Sequence, residues 1–296
     1  MLYDITVRIE YDYEYPADSS RHLVRLMPAD LPGEQRLVAG SFNFSPQPDE
    51  QETLTDFFGN RAVSLAFFRR HEDIVFSVVS RVEHIARDTA LDTSPSLDRL
   101  SGDIAALGSV AAWSPHHFVS ATNRVPVENE TTAFARETVN GAMSAFDAVR
   151  AVGEALHRTL RYDDEATTVD TPMIEAFRNR NGVCQDFSHI MIACLRGIGI
   201  PAGYVSGFLR TIPPPGKPRL EGADAMHAWV RAWCGIDMGW VEYDPTNGMV
   251  VGADHIVVAR GRDYFDVAPV KGVMRSFGEH TTKQSVDVVP VVRKAG

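Results

Sequence analysis

Cysteine is scarce. The 296-residue chain holds three, at positions 184, 194 and 234, an odd number with no framework spacing. That argues against a disulfide scaffold and makes a reducing cytoplasm the expected compartment. Long apolar runs are lacking too: none approaches the ~18 residues of a membrane span. Met1-Leu2-Tyr3-Asp4-Ile5 has no basic region followed by an apolar core, so no signal peptide is expected. Positive charge is in deficit, with 29 Lys+Arg against 39 Asp+Glu and a net charge of −10. This argues against a nucleic-acid surface and against adhesion to anionic membranes. No internal repeat, low-complexity tract or acidic loop with calcium spacing is present. What remains is ordinary: 44% hydrophobic and 23% charged residues, enough to bury a core without staples.

The first segment reads as β-rich. Ile5, Val7, Ile9, Tyr11 and Tyr13 alternate with Asp4, Thr6, Arg8, Glu10 and Asp12, the pattern of a strand with one wet face. Further strands are predicted over His22–Met27, Gln35–Phe44 and Ile74–Ile85. Thr53–Phe58, Gly59-Asn60 and Ala62–Phe68 predict a hairpin. Together they predict an antiparallel sandwich. His22, His71 and His84 are scattered, and read as solvated or hydrogen-bonded strand histidines. From Arg87 to Glu128 periodicity fades into a connector, with a short helix at Ile104–Ala112. His116-His117 has the composition of a metal site but not the geometry. Adjacent side chains diverge, and no second ligand pair sits at a fixed offset. The division expected is a β-rich domain with its connector over 1–125 and a second domain over 126–296.

Helices are predicted over Thr131–Thr138 and Ser144–Leu160, the second with an inward stripe of Ala145, Val149, Val152, Leu156 and Leu160. A short helix follows to Arg178, with Thr171 as N-cap and Pro172 at its first position. The next helix, from Val183, repeats Phe187, Ile190, Met191 and Cys194 at steps of three and four and stops near Gly197, Gly199 and Pro201. Strands are predicted over Ala202–Thr211, His255–Ala259 and Ser285–Val292. The loop from Ile212 through the prolines to Pro218 is no central strand, and is either a border of a cleft or a plain connector.

That last helix puts Cys184 in its first turn. Unpaired N–H groups and the positive end of the helix dipole favour an anion there, and such placement commonly lowers a thiol pKa. On position alone Cys184 reads equally as a nucleophile or as a core thiol. A nucleophile needs a proton acceptor and an orienter. Ala225–Trp233 reads as a strand carrying His227, and Gly239–Asp244 as a second strand joined to it by a glycine turn. If Cys234 pairs with Gly239, Trp229 lies opposite Asp244, and His227 becomes its diagonal neighbour at about 7–8 Å. A one-residue slip would send the two to opposite faces.

The blocks Gly182-Val183-Cys184-Gln185-Asp186-Phe187, Met226-His227-Ala228-Trp229-Val230 and Gly239-Trp240-Val241-Glu242-Tyr243-Asp244-Pro245-Thr246-Asn247 resemble the three blocks of the transglutaminase-like superfamily, in its order. They are most similar to the bacterial branch described as cysteine proteases, which usually carries a β-rich N-terminal region. The resemblance implies an α+β fold, with a β-sandwich-like N-terminal domain and a papain-like, transglutaminase-like core in which a catalytic helix packs on an antiparallel sheet. It implies Cys184 as nucleophile, His227 as base and Asp244 as orienter. Animal transglutaminases use a tryptophan upstream of the cysteine as an oxyanion donor. This chain has none between Trp113 and Trp229, so the Gln185 amide and the Tyr162 hydroxyl are the candidates.

Other assignments follow from position. Cys194 and Cys234 read as structural. His189 lies about 140° round the helix from Cys184 and reads as a poor base. Glu242 shares the Asp244 face and is the next orienter, while Asp186 is expected to satisfy backbone donors in the first turn. Trp229, Trp233 and Trp240 read as core; Trp229 and Trp233 share the His227 face, and Trp229 is the candidate to wall the cleft. The expected activity is cofactor-free hydrolysis of a peptide or protein amide through a thioester. Transamidation to an amine is one alternative, and a non-catalytic peptide-binding module the other.

Overall fold

Among the described residues, three antiparallel sheets and a short two-stranded parallel one are assembled around a central helix. In the computed structural model residues 1–85, 91–211, 222 and 224–291 are described. Six strands come first: β1 (Leu2–Ala17), β2 (Ser19–Val24), β3 (Gln35–Ser45), β4 (Glu50–Thr55), β5 (Arg61–Phe67) and β6 (His71–His84). The alternation in β1 is realised, with Tyr3, Ile5, Val7 and Ile9 buried and Thr6 and Arg8 exposed. The predicted hairpin forms as β4 and β5 around Gly59, whose φ of +83° suits the missing side chain.

Helices follow: α1 (Leu97–Ala106), α2 (Asn129–Thr138) and α3 (Ala145–Thr159). Ser144 caps α3 by accepting from Asp147 N at 3.0 Å. Helix α1 starts seven residues before the predicted one; its only buried side chain is Leu100, so it has little periodicity to read. Strand β7 (Arg161–Tyr162), α4 (Met173–Asn179) and β8 (Asn181–Gly182) lead into α5 (Cys184–Gly197). Helix α4 begins after Pro172, so Thr171 is not its cap: Thr171 Oγ1 instead accepts from Thr168 N at 2.9 Å.

The core sheet comes from β9 (Ala202–Leu209), β10 (Ala225–Trp233), β11 (Trp240–Asp244), β12 (Met249–Val250) and β13 (His255–Gly261), in the order β12-β11-β10-β9-β13. The proline loop expected over 212–218 lies outside the described residues. Helix α5 packs on β9 and β10 and is wrapped by α2, α3 and α4. It is therefore buried on nearly every side from Gln185 to Arg196, more than one apolar stripe implies. Within this packing Arg196 donates to the carbonyls of Ala202 and Arg262. The opposite sheet face carries Val205, Trp229 and Val257, which pack with Ala29 and Leu31 from the β2–β3 connection.

After α6 (Tyr264–Val267) the chain leaves the core. Strand β14 (Val270–Arg275), which carries no alternation strong enough to predict, pairs with β2, and β15 (His280–Pro290) pairs with β1. The sandwich sheets are thus β15-β1-β6-β3 and β14-β2-β5-β4. The last two strands, which the expected boundary after residue 125 assigns to the second domain, are hydrogen-bonded into the first. Among the described residues no helix is long and apolar enough to cross a membrane.

Candidate active site

The loop into α5 places Cys184 by close packing. Gly182, at φ +155°, leaves room for the Asp186 carboxylate, which a Cβ would meet at 2.6 Å. Asp186 then accepts from Val183 N at 2.9 Å and Thr167 Oγ1 at 2.6 Å, the first-turn role expected of it. Burial raises its pKa, against these hydrogen bonds. Cys184 is the first residue of α5, half-buried, with its sulfur at the helix N-terminus.

The β10–β11 hairpin has the required register. Trp233 pairs with Trp240 and Val230 with Tyr243, and Cys234 N donates to Gly239 O at 2.8 Å. One step further puts Trp229 opposite Asp244. His227 Nε2 then lies 2.7 Å from Asp244 Oδ2, both groups buried. The Cys184 thiol bears on the same ring electrostatically and favours its charged form. Since Nε2 faces the carboxylate, Nδ1 is the nitrogen left for the thiol.

Electrostatics sharpen this set. Burial opposes the charge on His227, but the hydrogen bond to Asp244 and the influence of Cys184 outweigh it and raise the pKa to about 10. Burial would lift the Asp244 pKa; hydrogen bonds from His227 and His255 override that and hold the carboxyl below its usual range. Asp244 Oδ1 accepts from Thr246 N at 2.9 Å and Asn247 N at 3.1 Å. Oδ2 also accepts from Asn247 Nδ2 at 2.7 Å and lies 3.0 Å from His255 Nε2. Neither His255 nor Asn247 was singled out from the sequence. Asn247 had a signal, since it follows Asp244 and Pro245 in a turn of the kind Asp and Asn stabilise. His255 had none.

The other candidates separate. Cys194 and Cys234 are buried and their thiols pushed up by that burial. His189 is buried, accepts from Tyr264 N at 3.2 Å, and is lowered to about 3 by burial and then by Arg124 and Arg196. It holds backbone and is no rival base. Glu242 binds Trp229 Nε1 at 2.7 Å and Arg260 at 2.6 Å, away from the His227 ring nitrogens. Trp229 is fully buried and does not wall an open cleft. Its indole lies 6.1 Å from the His227 ring and 5.1 Å from the His255 ring, beneath the pair. Gln185 is buried with its amide donating to Val169 O at 3.2 Å. Tyr162 is 56% exposed and pairs with Gly182. Its pKa is raised by burial and then by the charge of Cys184. His116 and His117 each contact a backbone carbonyl, of Leu107 and Val110, at 2.9 Å.

Comparison with known proteins gives the following. The profile of the transglutaminase-like superfamily matches residues 132–245, and that of the bacterial transglutaminase-like N-terminal region matches residues 3–83. An uncharacterized protein of Mycobacterium tuberculosis is 34% identical over 300 residues, covering 97% of this chain and 92% of its own. An uncharacterized protein of Mycobacterium leprae is 28% identical over 272 residues, covering 90% of this chain and 91% of its own. The crystal structure of a "Putative Cysteine Protease" from Cytophaga hutchinsonii matches with a TM-score of 0.74 at 20% identity, covering 99% of this chain and 92% of that one, which shows a shared fold.

Proposed function

Because the chain belongs to the transglutaminase-like superfamily, we propose that it transfers an acyl group from a peptide or protein amide to water through a thioester on Cys184. One observation carries the reading: His227 is held at 2.7 Å by the buried Asp244 carboxylate, the base–orienter pair that a thiol nucleophile at a helix N-terminus requires.

The Cys184 sulfur attacks the amide carbon, and the carbonyl electrons move onto oxygen. As that oxyanion collapses the C–N bond breaks, and His227 gives its proton to the departing amine. In the second half His227 takes a proton from water, whose oxygen attacks the thioester carbon. The C–S bond then breaks and the acid leaves. Asp244 keeps the imidazole oriented and favours its charged form throughout. The Cys184 N–H, which has no partner inside the helix, is one oxyanion donor. Tyr162, whose backbone pairs with Gly182 two residues before Cys184, is the candidate for the second, since the Gln185 amide is engaged by Val169. Losing one such donor typically costs about 2.7–4 kcal/mol in the barrier. A reducing cytoplasm, the compartment proposed with this activity, would keep Cys184 a free thiol.

The test uses p-nitrophenyl acetate and fluorescent casein, with wild type and Cys184→Ala. Wild type is expected to show a burst of p-nitrophenol, an acetyl adduct on Cys184 by mass spectrometry, and casein cleavage. Cys184→Ala loses all three, with turnover reduced by at least about 10³-fold. A primary amine that captures the acyl group faster than water would turn the reading to transamidation. No adduct, or an unaffected variant, would turn it to the binding module.

A further inference from the structure

Asp244 faces two imidazoles. Its Oδ2 lies 2.7 Å from His227 Nε2 and 3.0 Å from His255 Nε2. An ionised carboxylate only accepts, so the His255 hydrogen sits on Nε2; its Nδ1 is buried without a hydrogen-bond partner. We propose that His255 is a positioning residue for acyl transfer, fixing the rotation of the Asp244 carboxylate so that Oδ2 faces His227. The proposal rests on the Cys184–His227–Asp244 reading.

The surroundings make His255 a fixed donor. It is 2% exposed, its ring meets the edge of Trp229 at 5.1 Å, and Trp229 is tied to Glu242 through Nε1 at 2.7 Å. Its backbone is held as well, with His255 N donating to Gly252 O at 3.1 Å. The neighbouring Asp254 receives Tyr3 Oη at 3.1 Å and Arg210 Nη1 at 2.8 Å. The turn holds Oδ1 through the backbone N–H groups of Thr246 and Asn247, while on the Oδ2 side it offers only the side-chain amide of Asn247. His255 adds a second donor to Oδ2 from β13, across the sheet, and so holds that oxygen independently of the turn. The three side chains also lie within 4.8 Å of one another, a ligand spacing as well as a hydrogen-bonding one. The experiment is therefore run on EDTA-treated protein.

The alkylation of Cys184 by iodoacetamide is followed against pH in wild type, His227→Ala, His255→Leu and His255→Gln, together with the p-nitrophenyl acetate burst. His255→Leu removes the donor. The pH at which alkylation accelerates is expected to rise by about one unit, since an unaligned carboxylate stabilises the imidazolium less. The burst rate is expected to fall by about 10–100-fold. His255→Gln, which keeps an N–H, recovers most of both. An alkylation profile unmoved or shifted downward in His255→Leu overturns the proposal, because a packing role leaves it in place and a competing donor, once removed, lowers it. If His255→Leu does not fold, 15N-histidine NMR on wild type decides: a proton found on His255 Nδ1 and not Nε2 overturns it. A wild type whose alkylation ignores His227→Ala sinks the catalytic reading itself, whereas a His227-dependent wild type with an unmoved His255→Leu sinks only His255.

Discussion

His227 keeps its proton in a place that burial alone would deny it, and the sign of the effect is testable. Its pKa rises from 6.5 to about 10 on folding. Above pH 6.5 the folded chain therefore holds a proton that the unfolded chain has released, and stability declines as pH rises toward 10. Asp244 acts in the opposite sense: its pKa is lowered from 3.8, so its contribution is present above that value and fades on acidification. Wild type is expected to lose thermal midpoint steadily between pH 7 and about 9.5, and His227→Gln to lose clearly less. Parallel curves for the two proteins would contradict the assignment. The place of Cys184 at a helix start and the His227–Asp244 contact were legible because each stands in a block of residues with its own local geometry. His255 was not legible: an isolated histidine at a strand start carries no pattern, and its partner lies on a strand it never pairs with.

That last point belongs to the element scale. In the sheet order β13 stands three strand spacings from β11, about 14 Å in a flat sheet. A histidine and an aspartate cannot bridge that distance and still meet at 3.0 Å, so the sheet must curl. Gly207 of β9 is one reason it can. It pairs with His227 on one side and Val257 on the other, and a Cβ there would meet Ile256 O at 2.2 Å and Trp229 Cη2 at 2.4 Å. The absent side chain lets the indole lie across β9 between the two histidines. Gly207→Ala is expected to lower stability by about 1–3 kcal/mol in urea unfolding and to cut the p-nitrophenyl acetate burst by at least about tenfold, by displacing Trp229. Gly203→Ala in the same strand clashes with Gly261 O and Phe118 instead. It is expected to lose stability and retain the burst. Equal activity losses in both would show that the effect is general loosening. The β10–β11 register, by contrast, followed from a turn of fixed length, which is why the sequence could specify it.

For the whole molecule, the sandwich and the core form one interlocked unit. The outer edge of β13 is covered by side-chain amides from the sandwich, which act as a surrogate strand. Gln35 donates to Val257 O at 2.8 Å and accepts from Val257 N at 2.9 Å. Asn60 does the same for Arg260, with both bonds at 2.8 Å. Arg260 adds ion pairs to Glu34 and Glu242, each at 2.6 Å. Strands β14 and β15 close the sandwich from the far end of the chain. A fragment of residues 1–125 keeps β6 beside β1 and β5 beside β2 but lacks β15 and β14, and so leaves one edge of each sandwich sheet open. It is expected to aggregate or to melt without a cooperative transition by circular dichroism, while the full chain unfolds cooperatively. A fragment that melts sharply would show that the N-terminal strands suffice for a domain.

The sequence by itself determined what depends on near neighbours. Strand alternation, helix periodicity, turn residues and the three motif blocks set the α+β architecture, the Cys184 helix and the His227–Asp244 hairpin. Only the tertiary structure decided what depends on strands far apart in the chain. It returned β14 and β15 to the sandwich, used Gln35 and Asn60 to finish the edge of β13, buried Trp229 beneath the site and brought His255 to Asp244. The physical reason is that a local pattern constrains which face a side chain occupies. Which strand lies beside it, and how far the sheet curls, are set by the packing of the whole chain.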